Sequence, residues 1–159
     1  MSTKLKESAQ QFQNKLLGLG YSNQVVELPS STRTAKEAAE AIGCDVEHIA
    51  KSIIFRLKNT NQALLVVASG KNRINERRIS GYVDDKIKNA DANFVREKTG
   101  FVIGGVPPLG HKEKVITLID EDLFQYETIW AAAGHPMAVF QLTPDELVTM
   151  TGGRVVSVK

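Results

Sequence analysis

The segment Gly104-Gly105-Val106-Pro107-Pro108-Leu109-Gly110 sets three glycines and two prolines in seven positions. Gly104 and Gly105 can take positive φ and let a ligand come close to the main chain. Their N–H groups, with that of Val106, can form a concave donor set of the kind that holds an anion or the oxyanion of acyl transfer. Pro107 and Pro108 donate nothing, but they fix φ and stiffen the exit of the loop. Donors held in place need no reorganisation as charge develops, and losing one such donor costs about 3 kcal/mol. The same residues would also make a rigid connection between two strands, and the pattern alone leaves both readings open.

Lys51 is the second candidate. In HIAKSIIFRL it stands where a short helix hands over to a strand. Alternation along that strand puts Lys51 on the face of Ile53 and Phe55, with Ser52, Ile54 and Arg56 on the other. A lysine on such a face either snorkels at the sheet edge or points into a pocket. In a pocket it binds phosphate or carboxylate, or holds developing negative charge. Gly134-His135-Pro136 reads either as a hairpin turn or as a means of bringing His135 to a pocket as a hydrogen-bonding or proton-handling group. The run KNRINERR holds Lys71, Arg73, Arg77 and Arg78 against Glu76. It is either a solvated helix face or a local basic patch able to hold phosphates.

Other chemistries are not advertised. His48, His111 and His135 are far apart and form no H-x-x-x-H pair, and Cys44 is the only cysteine. A metal site would need ligands from scattered loops, and no cofactor is expected. No G-x-S-x-G elbow is present. Cys44 follows a helix, and Asp45 beside it raises a thiol pKa, so it reads as a buried inert thiol before a reactive one. A single cysteine also excludes an intramolecular disulfide framework and suits a reducing cytoplasm. The N-terminal stretch is polar and amphipathic without the apolar core of a signal peptide, and no apolar run reaches membrane-spanning length. Net charge is +2, from 20 Lys+Arg against 18 Asp+Glu, which does not suit a general coater of nucleic acid.

The elements that must position these residues follow from periodicity and caps. Leu5, Ala9, Phe12 and Leu16 form a helical stripe that stops near Gly18 or Gly20. QVVEL reads as a strand. Thr34 and Glu37 form a capping box for a helix closed by Gly43, and a short helix begins at Asp45. SIIFRL and ALLVVASG form a hairpin across KNTNQ. Residues 75–80 and 84–88 read as short helices, and Asp91 caps another that ends at Gly100. KVITLID, ETIWAAAG, MAVFQL and RVVSV read as strands, with EDLFQ as a helical turn. Thr143, Pro144 and Glu146 mark the start of the last helix. The pattern predicts one α/β (mixed α+β) domain over residues 1–159, with residues 1–20 as an N-terminal helix. Hairpin-length connections argue that its core is a mostly antiparallel or mixed sheet of six or seven strands, curved and barrel-like, with short helices around it.

TAKEAAEAIGCDVEHIAKSIIF, LLVVASGKNRIN, KTGFVIGGVPPLG and VITLIDEDL, in this order, resemble the YbaK family, relatives of the editing domain inserted in bacterial prolyl-tRNA synthetases. The resemblance covers the chain from about Val25 onward. It implies a mixed α/β domain around a curved, largely antiparallel sheet, and a trans-editing aminoacyl-tRNA deacylase, which hydrolyses the ester of a mischarged tRNA. It places the family's lysine at Lys51 and its G-x-x-x-P loop at Gly104 to Pro108. The implied catalytic groups are Lys51, Gly104, Gly105 and Val106, with Pro108 in the same matched loop. From their own positions, Ser69 and Gly70 at the end of a strand and Gly134 and His135 in their turn are expected around the substrate. Lys71, Arg73, Arg77 and Arg78 would meet the nucleic acid. The implied partners are mischarged tRNA, tRNA(Pro) above all, and prolyl-tRNA synthetase, with no membrane. AAAGHPMAVFQLTPDEL departs from the Cys-tRNA deacylase type and looks more like a branch acting on alanine or 2-aminobutyrate. The reading from another class is a non-catalytic module that docks tRNA or a synthetase on the same fold.

Overall fold

The computed structural model describes residues 5–159, so the first four residues of the expected N-terminal helix lie outside the described part. In chain order the elements are α1 (Glu7–Gly18), β1 (Val25–Glu27), α2 (Ala35–Ile42), β2 (Ile49–Leu57), β3 (Ala63–Ser69), α3 (Glu76–Val83), β4 (Ile87–Asn89), α4 (Ala92–Thr99), β5 (Ile116–Asp120), β6 (Ile129–Ala132), β7 (Ala138–Leu142), α5 (Pro144–Thr151) and β8 (Arg154–Val156). Short 3-10 turns at Val46–His48 and Glu121–Gln125 lead out of α2 and β5.

All eight strands join one mixed sheet in the order β1-β7-β6-β2-β3-β5-β8, with β4 also paired to β2. Strand β3, covered on two faces, is apolar up to Ser69, whereas β2 interrupts its apolar run with Lys51, Ser52 and Arg56. Every residue of β3 is buried. One face packs Ala50, Ile54, Leu65 and Val67 with Phe12, Leu16, Val95, Val106 and Phe140. The other packs Phe55, Leu57, Leu64, Val66 and Ala68 with Ile79 and Val158. A smaller cluster joins Ala38 and Ala39 of α2 to Ile49, with Trp130 against it.

The mixed α/β architecture read from the sequence is the one observed, with two differences. Residues 84–88, read as a helix, instead end α3 and begin a strand. Asp84 takes a left-handed conformation (φ 52°) and caps α3, and Ile87–Asn89 then pairs with the end of β2. This brings the strand count to eight. The sheet path is also open at β1 and β8, with parallel pairs β2–β6, β3–β5 and β5–β8 among the antiparallel ones.

The caps explain where the helices begin and end. Thr34, Asn75, Asp91 and Thr143 each accept an N–H from the first turn of their helix, which satisfies a donor that has no partner inside the helix. The box at Thr143 and Glu146 is complete. At α2, the Glu37 carboxylate accepts the Thr34 hydroxyl instead.

Candidate active site

Strand β2 is paired unevenly. Strand β3 runs along one side of it from Ala50 to Arg56. On the other side β6 pairs only with Ile49 and Ala50, and β4 only with Phe55, Arg56 and Leu57. Lys51 to Ile54 therefore face a gap between two neighbouring strands. A cavity of about 540 Å³ opens there, within the range of small-molecule sites. Residues 49–55 of β2, Asn89 of β4 and Ala90 after it, Trp130 to Ala132 of β6, Thr32 to Ala35, and Ile103, Gly104 and Val106 line it. Lys51 and the glycine loop, 53 residues apart in sequence, thus border one space.

Lys51 is held by the main chain. Its Nζ donates to the Asn72 carbonyl (2.7 Å) and lies 3.5 Å from the Gly70 carbonyl. Asn72 is fixed in turn, because its Nδ2 donates to Asp120 Oδ2 and to Asp122 Oδ2, both at 2.8 Å. Asp120 is 1% exposed and also accepts the N–H groups of Ser69 and Asp122. Lys159 Nζ pairs with Asp122 at 2.9 Å. Burial lowers the Lys51 pKa from its ordinary value, and the charge of Asp120 works against that. Hydrogen bonds from Lys159 and Asn72 hold the Asp122 carboxyl below the usual carboxylate range. Sequence reasoning missed Asn72, Asp120 and Asp122 as the supports of Lys51. The D-x-D spacing at the end of a strand was the available signal.

The glycine loop is shaped by its neighbours. Gly104 has φ +91°, and a Cβ there would come within 2.7 Å of Arg33 Cγ. A Cβ on Gly105 would lie 2.8–2.9 Å from backbone atoms of His135. Neither spacing is compatible with a side chain and an unmoved neighbour. The Gly105 N–H donates to the Val102 carbonyl, and the Gly105 carbonyl accepts the Gly134 N–H. The donor set expected from three successive residues is thereby reduced: Gly105 spends its N–H on closing the turn. Among the described residues the N–H groups of Gly104 and Val106 have no hydrogen-bond partner. Val106 is buried, where an unpartnered N–H is rare and costly. His111 braces the loop from behind, its Nε2 donating to the Pro107 carbonyl at 2.7 Å. Burial lowers the pKa of His111, and the carbonyl acceptor requires the proton on Nε2. Helix α1 closes the far end, with Lys15 Nζ donating to the Gly110 carbonyl at 2.6 Å.

The remaining candidates fall behind or beside the cavity. Ser69 is fully buried, with its hydroxyl on the Glu47 carbonyl and its N–H on Asp120, so it supports the site and does not border the cleft. Gly70 stands beside the Lys51 ammonium, and the close carbonyl of Val46 leaves no room for a side chain there. Pro108 is buried in the loop's exit. Gly134 (φ +94°) and His135 support the loop through their main chain, outside the lining of the cavity. His135 Nδ1 accepts the Met137 N–H at 3.0 Å. Lys71, Arg73, Arg77 and Arg78 are all exposed. Lys71 and Arg73 flank the residue whose carbonyl holds Lys51. Burial, and then Asp45, push the Cys44 thiol up, which fits an inert thiol. No helix among the described residues is long and apolar enough to cross a membrane.

Residues 29–150 match the family described as the aminoacyl-tRNA editing domain. The uncharacterized protein YwhH of Bacillus subtilis is 34% identical over 133 residues, 84% of each chain. A candidate Cys-tRNA(Pro)/Cys-tRNA(Cys) deacylase of Enterococcus faecalis, EbsC, is 22% identical over 76% of this chain and 74% of that protein. The proline–tRNA ligase of Thermoanaerobacter sp. is 29% identical over 108 residues, which are 66% of this chain and 19% of the ligase. Among solved structures, a candidate trans-editing enzyme for prolyl-tRNA synthetase superposes with a TM-score of 0.92 at 44% identity, covering 98% of this chain and 99% of that one.

Proposed function

This chain belongs to the aminoacyl-tRNA editing domain family, and from that footing we propose that it is a trans-acting deacylase that clears mischarged tRNA, with tRNA(Pro) carrying a small noncognate residue as its substrate. Alanine, 2-aminobutyrate and cysteine are the residues in question. The observation that carries this reading is the meeting of Lys51 with the unpartnered N–H groups of Gly104 and Val106 around one cavity.

An aminoacyl ester is already activated, so its hydrolysis asks for positioning and charge stabilisation more than for a strong base. The Lys51 ammonium, oriented by the Asn72 carbonyl, sits against the phosphate of the terminal nucleotide. The N–H groups of Gly104 and Val106 polarise the acyl carbonyl and receive its oxyanion. Gly105 and Pro108 keep those donors still. Water attacks the acyl carbon, with the neighbouring ribose hydroxyl assisting in place of a protein base. The acyl C–O bond breaks, the amino acid leaves and the ribose oxygen takes up the proton. The cavity admits small acyl groups between Ala35, Ala38 and Ala131 and excludes bulky ones. Rejecting a smaller acyl group is harder, since one methylene is worth about 1–3 kcal/mol. The chain acts as one editing unit over residues 1–159 in the cytoplasm, where it meets charged tRNA and prolyl-tRNA synthetase.

The test is deacylation of tRNA(Pro) charged in turn with alanine, 2-aminobutyrate, cysteine and proline, beside Lys51→Ala. At least one noncognate ester should disappear well ahead of the buffer control, with prolyl-tRNA(Pro) spared and the Lys51→Ala rate down roughly 100-fold. Survival of all four esters defeats the reading, and tRNA binding without turnover would leave a docking module in its place.

A further inference from the structure

The gap beside β2 holds polar groups that the chemistry above does not use. Backbone direction along β2 follows from three hydrogen bonds. Gly70 N–H donates to the Ile49 carbonyl and Leu57 N–H to the Gln62 carbonyl, so odd-numbered residues turn their main chain toward β3. Lys58 N–H donates to the Lys86 carbonyl, so even-numbered residues turn theirs to the other side. There the ladder with β6 stops at Ala50 and the ladder with β4 begins at Phe55. Between them, the N–H and carbonyl of Ser52 and the N–H of Ile54 face the cavity without a strand to pair with. The Ser52 hydroxyl is, besides, the one buried side-chain N or O atom among the described residues that has no hydrogen-bond partner. Unsatisfied polar groups are few in a folded protein, and each one asks for a partner; here several meet at one point of one cavity.

A carbonyl and an N–H two residues apart on one strand edge present an acceptor and a donor side by side in the plane of the sheet. Adenine offers the complement on its Watson–Crick edge, a donor at N6 and an acceptor at N1. The surroundings suit a flat, uncharged ring. Trp130 and Ile53 line the cavity, on the face of the sheet opposite Ile54 and Val95. The charged side chains in the lining are Arg33 and Lys51, with no carboxylate, which disfavours a cationic ring in the gap. The slot is four residues long and closed by strands at both ends, too short for an added peptide strand.

We propose that this gap is an adenine subsite. The Ser52 carbonyl accepts from N6, the Ile54 N–H donates to N1, and the flat ring lies between the apolar side chains of the two faces. The inference rests on the deacylase reading, and it adds that the enzyme reads the terminal base of its substrate through main-chain groups.

Two measurements test it with the intact chain. In an NMR titration of ¹⁵N-labelled protein, adenosine 5′-monophosphate should shift the amide signals of Ser52 and Ile54, and inosine 5′-monophosphate, the same shape with its donor and acceptor exchanged, should bind roughly tenfold more weakly or worse. Equal binding of the two, or shifts that leave Ile54 unmoved, overturns the subsite. In the second, mischarged tRNA ending in inosine in place of adenosine should show a KM raised about tenfold with kcat largely kept. Equal KM for both tRNAs overturns the subsite while leaving the deacylase intact. If neither tRNA is hydrolysed, the deacylase reading fails, and the mononucleotide titration still decides the subsite.

Discussion

Lys51 carries a charge that its surroundings make expensive. Burial favours the neutral amine and the nearby Asp120 carboxylate opposes it, and the net direction is downward from 10.5. A base with a lowered pKa gives up its proton at a lower pH than a free lysine does. If the ammonium grips the substrate phosphate, affinity should fall on the alkaline side, with a midpoint below 10.5. The measurement is the pH dependence of binding of a non-hydrolysable amide analogue of the aminoacyl-tRNA end. Lys51→Arg, whose guanidinium keeps its proton throughout, should bind more weakly yet lose this alkaline fall. The same fall in both proteins would remove Lys51 as its source. The type and placement of Lys51 could be read from strand alternation. What holds it could not, because Asn72, Asp120 and Asp122 come together only through the parallel pairing of β3 with β5, at positions 48 to 50 residues apart.

At the scale of elements, the glycine loop is shaped by α1, Arg33 and the turn at residues 134–136, which fit closely around it. Three glycines and two prolines marked it as special in the sequence, but not which amides would be free. That depended on the turn between Val102 and Gly105 and on the backbone of His135, both of which are tertiary facts. Gly105→Ala places a methyl group against the His135 main chain. Overpacking of this kind should cost about 1–3 kcal/mol of stability, read as a lower urea midpoint with unchanged m, and deacylation should drop because the Val106 N–H moves. A variant with wild-type stability and turnover would show that the contact is not needed. The gap in the sheet was equally hidden. Residues 84–88 carry a helical composition, yet α3 ends at Asp84 and the chain reverses to add Ile87–Asn89 beside β2. That short strand closes one end of the cavity, so misreading it also concealed the slot.

Across the whole molecule, charge is nearly balanced, at +2 overall, so binding to a polyanion must rest on where the cations lie. Lys71 and Arg73 flank the site through Asn72, and Arg77 and Arg78 continue the exposed basic stretch on the first turns of α3. None of the four has a salt-bridge partner among the described residues. Such a surface can meet the acceptor-stem phosphates while the 3′ end enters the cavity. Each phosphate neutralised releases counterions, so the logarithm of affinity falls linearly with the logarithm of salt concentration. Replacing both Arg77 and Arg78 by Gln should weaken tRNA binding at low salt and make the slope shallower by about 1 to 2 units. Both residues are exposed, so folding should be unchanged, and hydrolysis of a short aminoacyl-CCA fragment that lacks the stem should keep its wild-type rate. An unchanged salt slope would move the tRNA body to another face, and a matching loss on the short fragment would place these arginines at the cavity itself.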